Sequence, residues 1–263
     1  MIKVINDFYP KWVYIQPYIL SKLMQTYKHH DIIPPDSIKY IESVGEILTP
    51  KVKNDASKFF GAPVINMYGT EEMNGIAIEC PHNNMHVLDD NVYVECMTQE
   101  GISQYGRGET ILTNLTNYGM PLIRYSQDDI IEVTQQKTPC ACGSNSPIIS
   151  IIRGRKQEGI NINGIELSTY NLRELVDEVN NIFRDPITDF SYVYSRSKNE
   201  LLCRIVMQPN MISWSNNIKR SIKEIFFAKF ISSSLIGFDV SIVNNCDFPF
   251  ISNHKYTVLN IVD

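Results

Sequence analysis

The chain contains 263 residues, of which 43% are hydrophobic and 20% are charged, and its formal net charge is −5. The length predicts roughly 1.5–2 domains, and the composition is typical of a folded protein. It excludes a disordered chain and a generally basic nucleic-acid coat. No apolar run approaches the roughly 18 residues that a membrane span needs, and no apolar leader follows Met1. We therefore expect a cytoplasmic protein that binds neither nucleic acid nor membranes.

The first half of the chain predicts helices followed by many short strands. Thr49 and Pro50 predict the start of a helix that ends before Gly61, because they suit the N-cap and the first turn and glycine suits the position after the end. Short apolar segments separated by Gly, Asn, Pro and Asp then predict strands at 64–67, 86–88, 92–95, 109–115, 122–125 and 130–133. We expect 86–88 and 92–95 to pair as a hairpin within a compact antiparallel or barrel-like region.

The second half predicts a small α+β unit. Ser168 suits the N-cap of a helix, and a second helix is predicted over about 214–230 from its apolar spacing. Strands are predicted at 190–194, 201–207 and 238–243. The short charged segment around 153–155 is the predicted domain boundary.

Cysteine spacing leaves a metal site open. Six cysteines are too few for a disulfide scaffold. Cys140 and Cys142 are too close in sequence to bridge readily, and with Cys80 and His86 they offer four ligands of the kinds that zinc prefers. His82 is an alternative to His86. The two pairs lie about fifty residues apart, so buried free thiols and a surface histidine fit the spacing as well.

Four short motifs carry polar residues of the kind that nucleotide sites use. The first, 68–72, ends an apolar strand at the place where open α/β sheets bind ligands, and its carboxylates could hold Mg²⁺. The others are Gly108-Glu109 with the 121–129 segment, Arg153-Gly154-Arg155 with Gly164, and Pro249 to Lys255. Taken singly, these motifs are also typical of a solvated acidic turn, a hairpin, a basic linker and a surface loop.

Together, the order and spacing of the four motifs resemble the acyl-adenylate-forming (AMP-forming) superfamily, closest to its phenylacetate–coenzyme A ligase and coenzyme F synthetase-like branch. The residues that match its motifs are Gly45 and Glu46; Tyr68, Gly69 and Glu72; Gly108, Glu109, Thr113, Leu115, Pro121, Arg124, Tyr125 and Asp129; Gly154, Arg155 and Gly164; and Pro249 and Lys255. Glu71 stands where the family has threonine, and His254 stands where it has glycine.

The resemblance implies a two-step reaction. A carboxylic acid attacks the α-phosphate of ATP to give an acyl-adenylate, and a thiol, often coenzyme A, then takes the acyl group. By the same resemblance, Glu72 holds Mg²⁺, Asp129 holds the ribose hydroxyls and Arg155 contacts the ribose edge. Lys255 bridges carboxylate and phosphate oxygens. The nucleotide-binding set is completed by Gly45, Glu46, Tyr68, Gly69 and Thr70.

The implied fold is α/β plus α+β. Residues 1–152 would form a truncated large adenylating domain with a β-rich subdomain, and residues 153–263 a small α+β lid domain that rotates about the hinge. Relatives in this branch carry similar Cys/His positions, which favours a structural zinc site at Cys80, His86, Cys140 and Cys142.

The family's upstream phosphate loop has no counterpart in this chain. We therefore expect a partner protein that supplies the N-terminal half, or a homo-oligomer, and a free chain that associates through uncovered apolar surface. The alternative hypothesis is a non-catalytic, zinc-stabilised nucleotide-binding or scaffold module derived from the same fold.

Overall fold

The computed structural model describes residues 1–155, 159–232, 235–244 and 258–263. The chain divides into two compact units, Met1–Lys156 and Gln157–Asp263. The domain boundary predicted between 152 and 153 stays a prediction. Within the described ranges, no helix combines the length and apolar character needed to cross a membrane.

The described residues contain five α-helices. They are α1 Ile2–Phe8, α2 Pro17–His29, α3 Pro50–Phe60, α4 Thr169–Phe183 and α5 Ser215–Lys229. The predicted ends of α3 are confirmed, since the Thr49 hydroxyl accepts a hydrogen bond from the Val52 backbone N–H and Gly61 has φ +63°.

Strands make up most of the remaining regular structure. The strands of the first unit are β1 Trp12–Ile15, β2 Tyr40–Val44, β3 Val64–Thr70, β4 Asn74–Glu79, β5 Met85–Val87, β6 Val92–Thr98, β7 Gly101–Ser103, β8 Gly106–Asn114, β9 Tyr125–Thr134 and β10 Ile148–Arg155. They form one ten-stranded sheet in the order β1-β2-β3-β4-β5-β10-β9-β8-β6-β7. The first three strands are parallel, and the others pair antiparallel.

The parallel end of this sheet has its own hydrophobic core. Helices α2 and α3 supply much of that core, including Leu20, Tyr27 and Phe60, and strand β2 supplies Ile41. This arrangement follows from sequence, because short β-rich runs alternate with amphipathic helices. The carboxyl ends of β2 and β3 lie side by side, with Val44 opposite Met67.

The antiparallel part of the sheet curls around a second core. Buried residues of β4, β6, β8, β9 and β10 belong to one cluster, which includes Ile76, Val94, Leu112, Ile131 and Ile149. In a flat sheet, β3 and β9 would lie about 19 Å apart, because four interstrand steps of about 4.8 Å separate them. Yet the hydroxyl of Tyr68 on β3 lies 2.7 Å from a carboxylate oxygen of Asp129 on β9. The sheet therefore curls so that side chains of β3 and β9 meet at this point, which fits the compact antiparallel or barrel-like region expected from sequence.

Two details of this region differ from the sequence prediction. The predicted hairpin of 86–88 with 92–95 is wrong, because β5 pairs with β4 and β10 whereas β6 pairs with β7 and β8. The turn between them is closed by the Val92 N–H, which donates to the Leu88 carbonyl, and it carries the chain from one part of the sheet to another.

The predicted strand at 122–125 is also wrong. The chain enters β9 only at Tyr125, and Arg124 adopts a left-handed backbone with φ +52°. The Arg124 N–H donates to the Thr113 hydroxyl instead of a strand ladder. One continuous strand then runs to Thr134, where sequence predicted two short ones.

The second unit combines two small sheets with α4 and α5. A β-hairpin is formed by β11 Ile160–Ile162 and β12 Ile165–Leu167, with Gly164 at φ +87° in its turn. The larger sheet has the order β15-β14-β13-β16, its strands being β13 Ile187–Ser195, β14 Glu200–Met207, β15 Gly237–Ile242 and β16 Leu259–Val262. The core of this unit includes the fully buried Leu172 and Leu175 of α4, Ile222 and Phe226 of α5, and Tyr192 of β13.

Candidate functional site

Two tyrosines connect the predicted nucleotide residues. The Tyr68 hydroxyl donates to Asp129 Oδ2 at 2.7 Å, and the Tyr125 hydroxyl lies 3.5 Å from Glu72 Oε1. Glu72 lies in the turn after β3, and Asp129 lies within β9. The two carboxylates, which are 57 positions apart in the sequence, thus belong to one region of the closed sheet.

The backbone around Asp129 is held from two sides. Its carbonyl accepts a 2.8 Å hydrogen bond from the hydroxyl of Thr110, a fully buried residue of β8. Arg155 lies opposite Asp129 in the pairing of β9 with β10. The side chain of Arg155 and the whole of Lys255 lie outside the described residues, so their predicted roles stay predictions.

The glycine-containing motif after β3 is sterically restricted. A Cβ atom on Gly69 would lie 2.1 Å from the Asn74 carbonyl oxygen, so no side chain fits there. The Thr70 hydroxyl accepts from the Met73 N–H and helps to close the turn that carries Glu72. The motif therefore requires glycine for close strand packing.

Gly45 and Glu46 lie one strand away. Gly45 directly follows β2 with φ +83°, and the register of β2 with β3 puts it next to Tyr68 at the same sheet edge. The structure thus brings the motif at 68–72 into contact with the motif at 121–129. Gly45 and Glu46 lie beside them.

Sequence reasoning did not assign Tyr125 or Thr110 to this site. Tyr125 was matched only as part of a motif, and Thr110 was not singled out. Their roles depend on how β8 and β9 pair and on how the sheet closes, and a linear pattern does not show either.

The four predicted metal ligands form a compact cluster. One ligand atom from each of Cys80, His86, Cys140 and Cys142 lies within 4.8 Å of every other. The Cys80 and Cys140 sulfurs are 3.9 Å apart, and Cys142 Sγ is 3.4 Å from His86 Nε2. A tetrahedral zinc ion with Zn–S of about 2.3 Å and Zn–N of about 2.0 Å implies separations of about 3.8 Å and 3.5 Å for these two pairs. The cluster geometry fits zinc.

Two turns of the same design present the cysteines. The Cys80 N–H donates to the Asn84 carbonyl and the Asn83 N–H donates to the Cys80 carbonyl. In the second turn, the Cys140 N–H donates to Ser144 and the Gly143 N–H donates to Cys140. Asn83 and Gly143 both have positive φ, at 60° and 90°. Each of these cysteines is followed, three positions later, by a residue that tolerates the left-handed backbone region. This spacing is a sequence signal that could have indicated two similar turns.

Side chains around the cluster orient its ligands. The His86 Nδ1 atom faces the Ser146 carbonyl at 3.4 Å, which leaves Nε2 directed at the cysteine sulfurs. Gln136 donates to the carbonyls of Ser144 and Ser146 and so ties the loop between β9 and β10. The Asn84 amide donates to Cys140 Sγ at 3.3 Å. Such outer partners fix ring orientation and ligand position in metal sites.

The thiols of the cluster differ in acidity. The Cys142 backbone N–H, followed by the Asn84 amide, lowers the pKa of Cys140 to about 6. The Ser144 N–H lowers the pKa of Cys142, but desolvation and the neighbouring thiols outweigh it, so that this pKa is raised. One sulfur of the cluster is therefore largely a thiolate near neutral pH, which is the form that binds metals.

Comparisons with known proteins give a consistent picture. No family model matches the chain. Phenylacetate–coenzyme A ligases are similar to it, with 25% identity over 174 residues in Thermus thermophilus and 23% over 185 residues in Pseudomonas putida. These alignments cover 63% and 66% of this chain but only 39% and 40% of the ligases, so the chain spans about two fifths of the curated relatives it matches.

Solved structures extend the fold similarity to nearly the whole chain. A 2-hydroxyisobutyryl-CoA ligase in complex with an acyl-AMP aligns with TM-score 0.77 and 18% identity, over 99% of this chain and 56% of the ligase. An anthranilate-CoA ligase bound to anthranoyl-AMP aligns with TM-score 0.63 and 13% identity, over 92% of this chain and 48% of that one. The predicted fold class is confirmed by these alignments. In sequence the chain is similar to phenylacetate–coenzyme A ligases, and its fold is that of ligases bound to acyl-AMP, so both comparisons support the resemblance to the acyl-adenylate-forming superfamily.

Proposed function

We propose that the chain carries part of the nucleotide site of an AMP-forming acid–thiol ligase. The observation that supports this most directly is the meeting of the Glu72 and Asp129 regions through Tyr125 and Tyr68. Sequence similarity to phenylacetate–coenzyme A ligases and fold similarity to ligases bound to acyl-AMP point the same way. The substrates are a small-molecule carboxylic acid, ATP and a thiol such as coenzyme A.

The reaction makes two demands on charge and geometry. An acid oxygen attacks the α-phosphorus and the bond to pyrophosphate breaks; a thiolate sulfur then attacks the acyl carbonyl and AMP leaves. Asp129 accepts hydrogen bonds from the ribose hydroxyls and orients the nucleotide. Glu72 provides carboxylate oxygens of the kind that Mg²⁺ prefers. Lys255 supplies positive charge to the developing phosphate and carboxylate oxygens.

Zinc at the cysteine–histidine cluster belongs to the same proposal. Three sulfurs and one ring nitrogen fill all four tetrahedral positions, which leaves none for a reacting water. Such a site is structural. Its four ligands come from the β4–β5 turn, from β5 and from the loop between β9 and β10, so the ion would link these two parts of the sheet.

A second polypeptide, or another copy of the chain, is the proposed partner. Strand β1 lies at the edge of the ten-stranded sheet, and its Trp12 and Tyr14 side chains are 56% and 55% exposed. Exposed aromatic residues on an unpaired strand edge are typical of a surface that another chain covers.

The function is tested by binding and turnover. We expect AMP to bind the purified chain in calorimetry, and Asp129→Asn to weaken it by at least tenfold, because charged hydrogen bonds to ribose are lost. Pyrophosphate release is then measured with ATP and a panel of aromatic and aliphatic acids, with Tyr118→Phe as the matched surface control, since Tyr118 is 88% exposed. A chain that binds no AMP would contradict the proposal. AMP binding without pyrophosphate release, even with a partner that supplies the N-terminal half, would favour the alternative of a non-catalytic nucleotide-binding module.

A further inference from the structure

The hydrogen bond between Tyr68 and Asp129 crosses the closed sheet. Tyr68 belongs to β3 and Asp129 to β9, and three strands separate these two in the sheet order. The 2.7 Å distance from the phenol oxygen to Asp129 Oδ2 is typical of a strong hydrogen bond to a carboxylate. Tyr68, which the resemblance places in the nucleotide site, thus also contacts Asp129 of the same proposed site.

Both partners of this hydrogen bond are held in place independently. The Tyr68 ring packs against the core cluster of the antiparallel strands, and the Tyr68 backbone pairs with Ala77 of β4. Asp129 is fixed by the Thr110 hydroxyl at its carbonyl. The hydrogen bond therefore joins a packed phenol to a side chain on a fixed backbone, and it selects the orientation of the carboxylate.

A carboxylate can accept from the phenol and from a ligand at the same time. An ionised carboxylate accepts about four hydrogen bonds, and the phenol uses one position on Oδ2. The hydroxyls of a ribose are donors of the kind that a carboxylate accepts. A carboxylate whose plane is already set binds such a diol more tightly than one that rotates freely.

We propose that Tyr68 is a positioning residue for ribose recognition: its hydroxyl sets the orientation of the Asp129 carboxylate. This inference rests on the proposed function, in which Asp129 binds the ribose. The inference has one distinctive consequence. The Tyr68 hydroxyl strengthens the binding of the ribose and leaves the contributions of the base and the phosphate to the affinity unchanged.

Tyr68→Phe tests the inference, because it removes one oxygen and keeps the ring. Calorimetry would compare AMP with 2′,3′-dideoxy-AMP, which lacks the ribose donors. We expect Tyr68→Phe to weaken AMP binding about tenfold and to change dideoxy-AMP binding less than twofold. In the double variant with Asp129→Asn, we expect little further loss, since both changes remove the same interaction. Tyr118→Phe, at an exposed position, is the matched control.

Each alternative outcome separates the inference from the proposed function. Unchanged AMP binding in Tyr68→Phe, or equal losses for both nucleotides, would overturn the positioning role while the parent chain still binds AMP. A parent chain without AMP affinity would overturn the proposed function and this inference with it. If circular dichroism shows that Tyr68→Phe does not fold, Tyr68→Gln is used instead, because glutamine restores a hydrogen-bond donor. A Tyr68→Gln variant that still prefers AMP over dideoxy-AMP would support the positioning role. Loss of that preference would contradict it.

Discussion

The sulfur atoms of Cys80 and Cys140 lie 3.9 Å apart, although 60 positions separate the two residues in the sequence. Two turns of the same hydrogen-bond pattern bring them together, and each turn contains a residue with positive φ. A disulfide would need the sulfurs about 2 Å apart, so the separation fits a shared metal ion better than a bond.

Loss of one ligand should therefore release the metal. We expect Cys142→Ser and His86→Gln each to lower bound zinc from about one ion per chain to a small fraction, and to lower the melting temperature, because structural zinc contributes to folding free energy. Zinc is measured by plasma mass spectrometry, and cobalt substitution reports thiolate ligation by its near-ultraviolet charge-transfer bands.

His82→Gln is the matched control for this experiment. His82 lies in the same turn as Cys80 but is absent from the compact ligand cluster, so zinc content should stay near one. Zinc loss in His82→Gln with full retention in His86→Gln would show that His82, and not His86, supplies the nitrogen ligand. Equal zinc content in all variants would contradict the proposal of a zinc site at this cluster.

Arg124 should matter for the stability of the fold, because it pairs with a buried carboxylate. Its guanidinium donates from Nε and from Nη2 to the two carboxylate oxygens of Glu95, at 3.1 Å and 3.0 Å. Glu95 is only 6% exposed, so removing Arg124 leaves a buried carboxylate without this partner. We expect Arg124→Met to lower the melting temperature, and Glu95→Gln in the same chain to recover part of the loss. Additive losses in the double variant, measured by calorimetry, would contradict the pairing.

The N-terminus of α4 offers a clean test of helix capping. The Ser168 hydroxyl accepts from the Asn171 N–H, and the Asn171 side chain accepts from the Ser168 N–H. We expect Ser168→Ala to lower the free energy of unfolding by about 1 kcal/mol, measured by urea titration. Ser213→Ala, at an exposed position, should change it by less than about 0.5 kcal/mol. Equal effects of the two variants would argue against the cap.

Cys203 should be chemically inert in the folded protein. Burial raises the pKa of its thiol to about 12, so almost no thiolate exists at pH 8. After treatment with iodoacetamide, we expect mass spectrometry to find Cys203 unmodified in native protein and modified in urea. Exposed Cys142, in protein treated with a chelator, is the positive control. Rapid native labelling of Cys203 would show that the second unit opens readily.

Local structure was largely predictable from sequence, whereas strand partners were not. The ends of α3 are predictable from Thr49, Pro50 and Gly61, because helix capping depends on neighbouring residues alone. In contrast, the pairing of β5 with β10 instead of β6 depends on which apolar faces fill the same core, and many registers satisfy the alternating pattern. The left-handed Arg124 was missed for a similar reason, since its partners Thr113 and Glu95 come from other strands.

The candidate sites show the same division. The ligand types of the cysteine cluster follow from sequence, but their proximity depends on fold closure, which spacing alone leaves open. Tyr68 and Asp129 were both selected as nucleotide-binding residues, yet nothing in the linear order shows that one holds the other.

Strand β5 meets β10 through a single residue pair, His86 with Ile148. All other neighbours along this sheet share at least three such pairs. The ladder at this junction is therefore the thinnest part of the closed sheet, and backbone amides beside it should exchange with deuterium earlier than those of β6 or β8. Because His86 is both a member of that pair and a member of the cysteine cluster, the cluster lies where the sheet has least main-chain support and where a cross-link would slow its opening most.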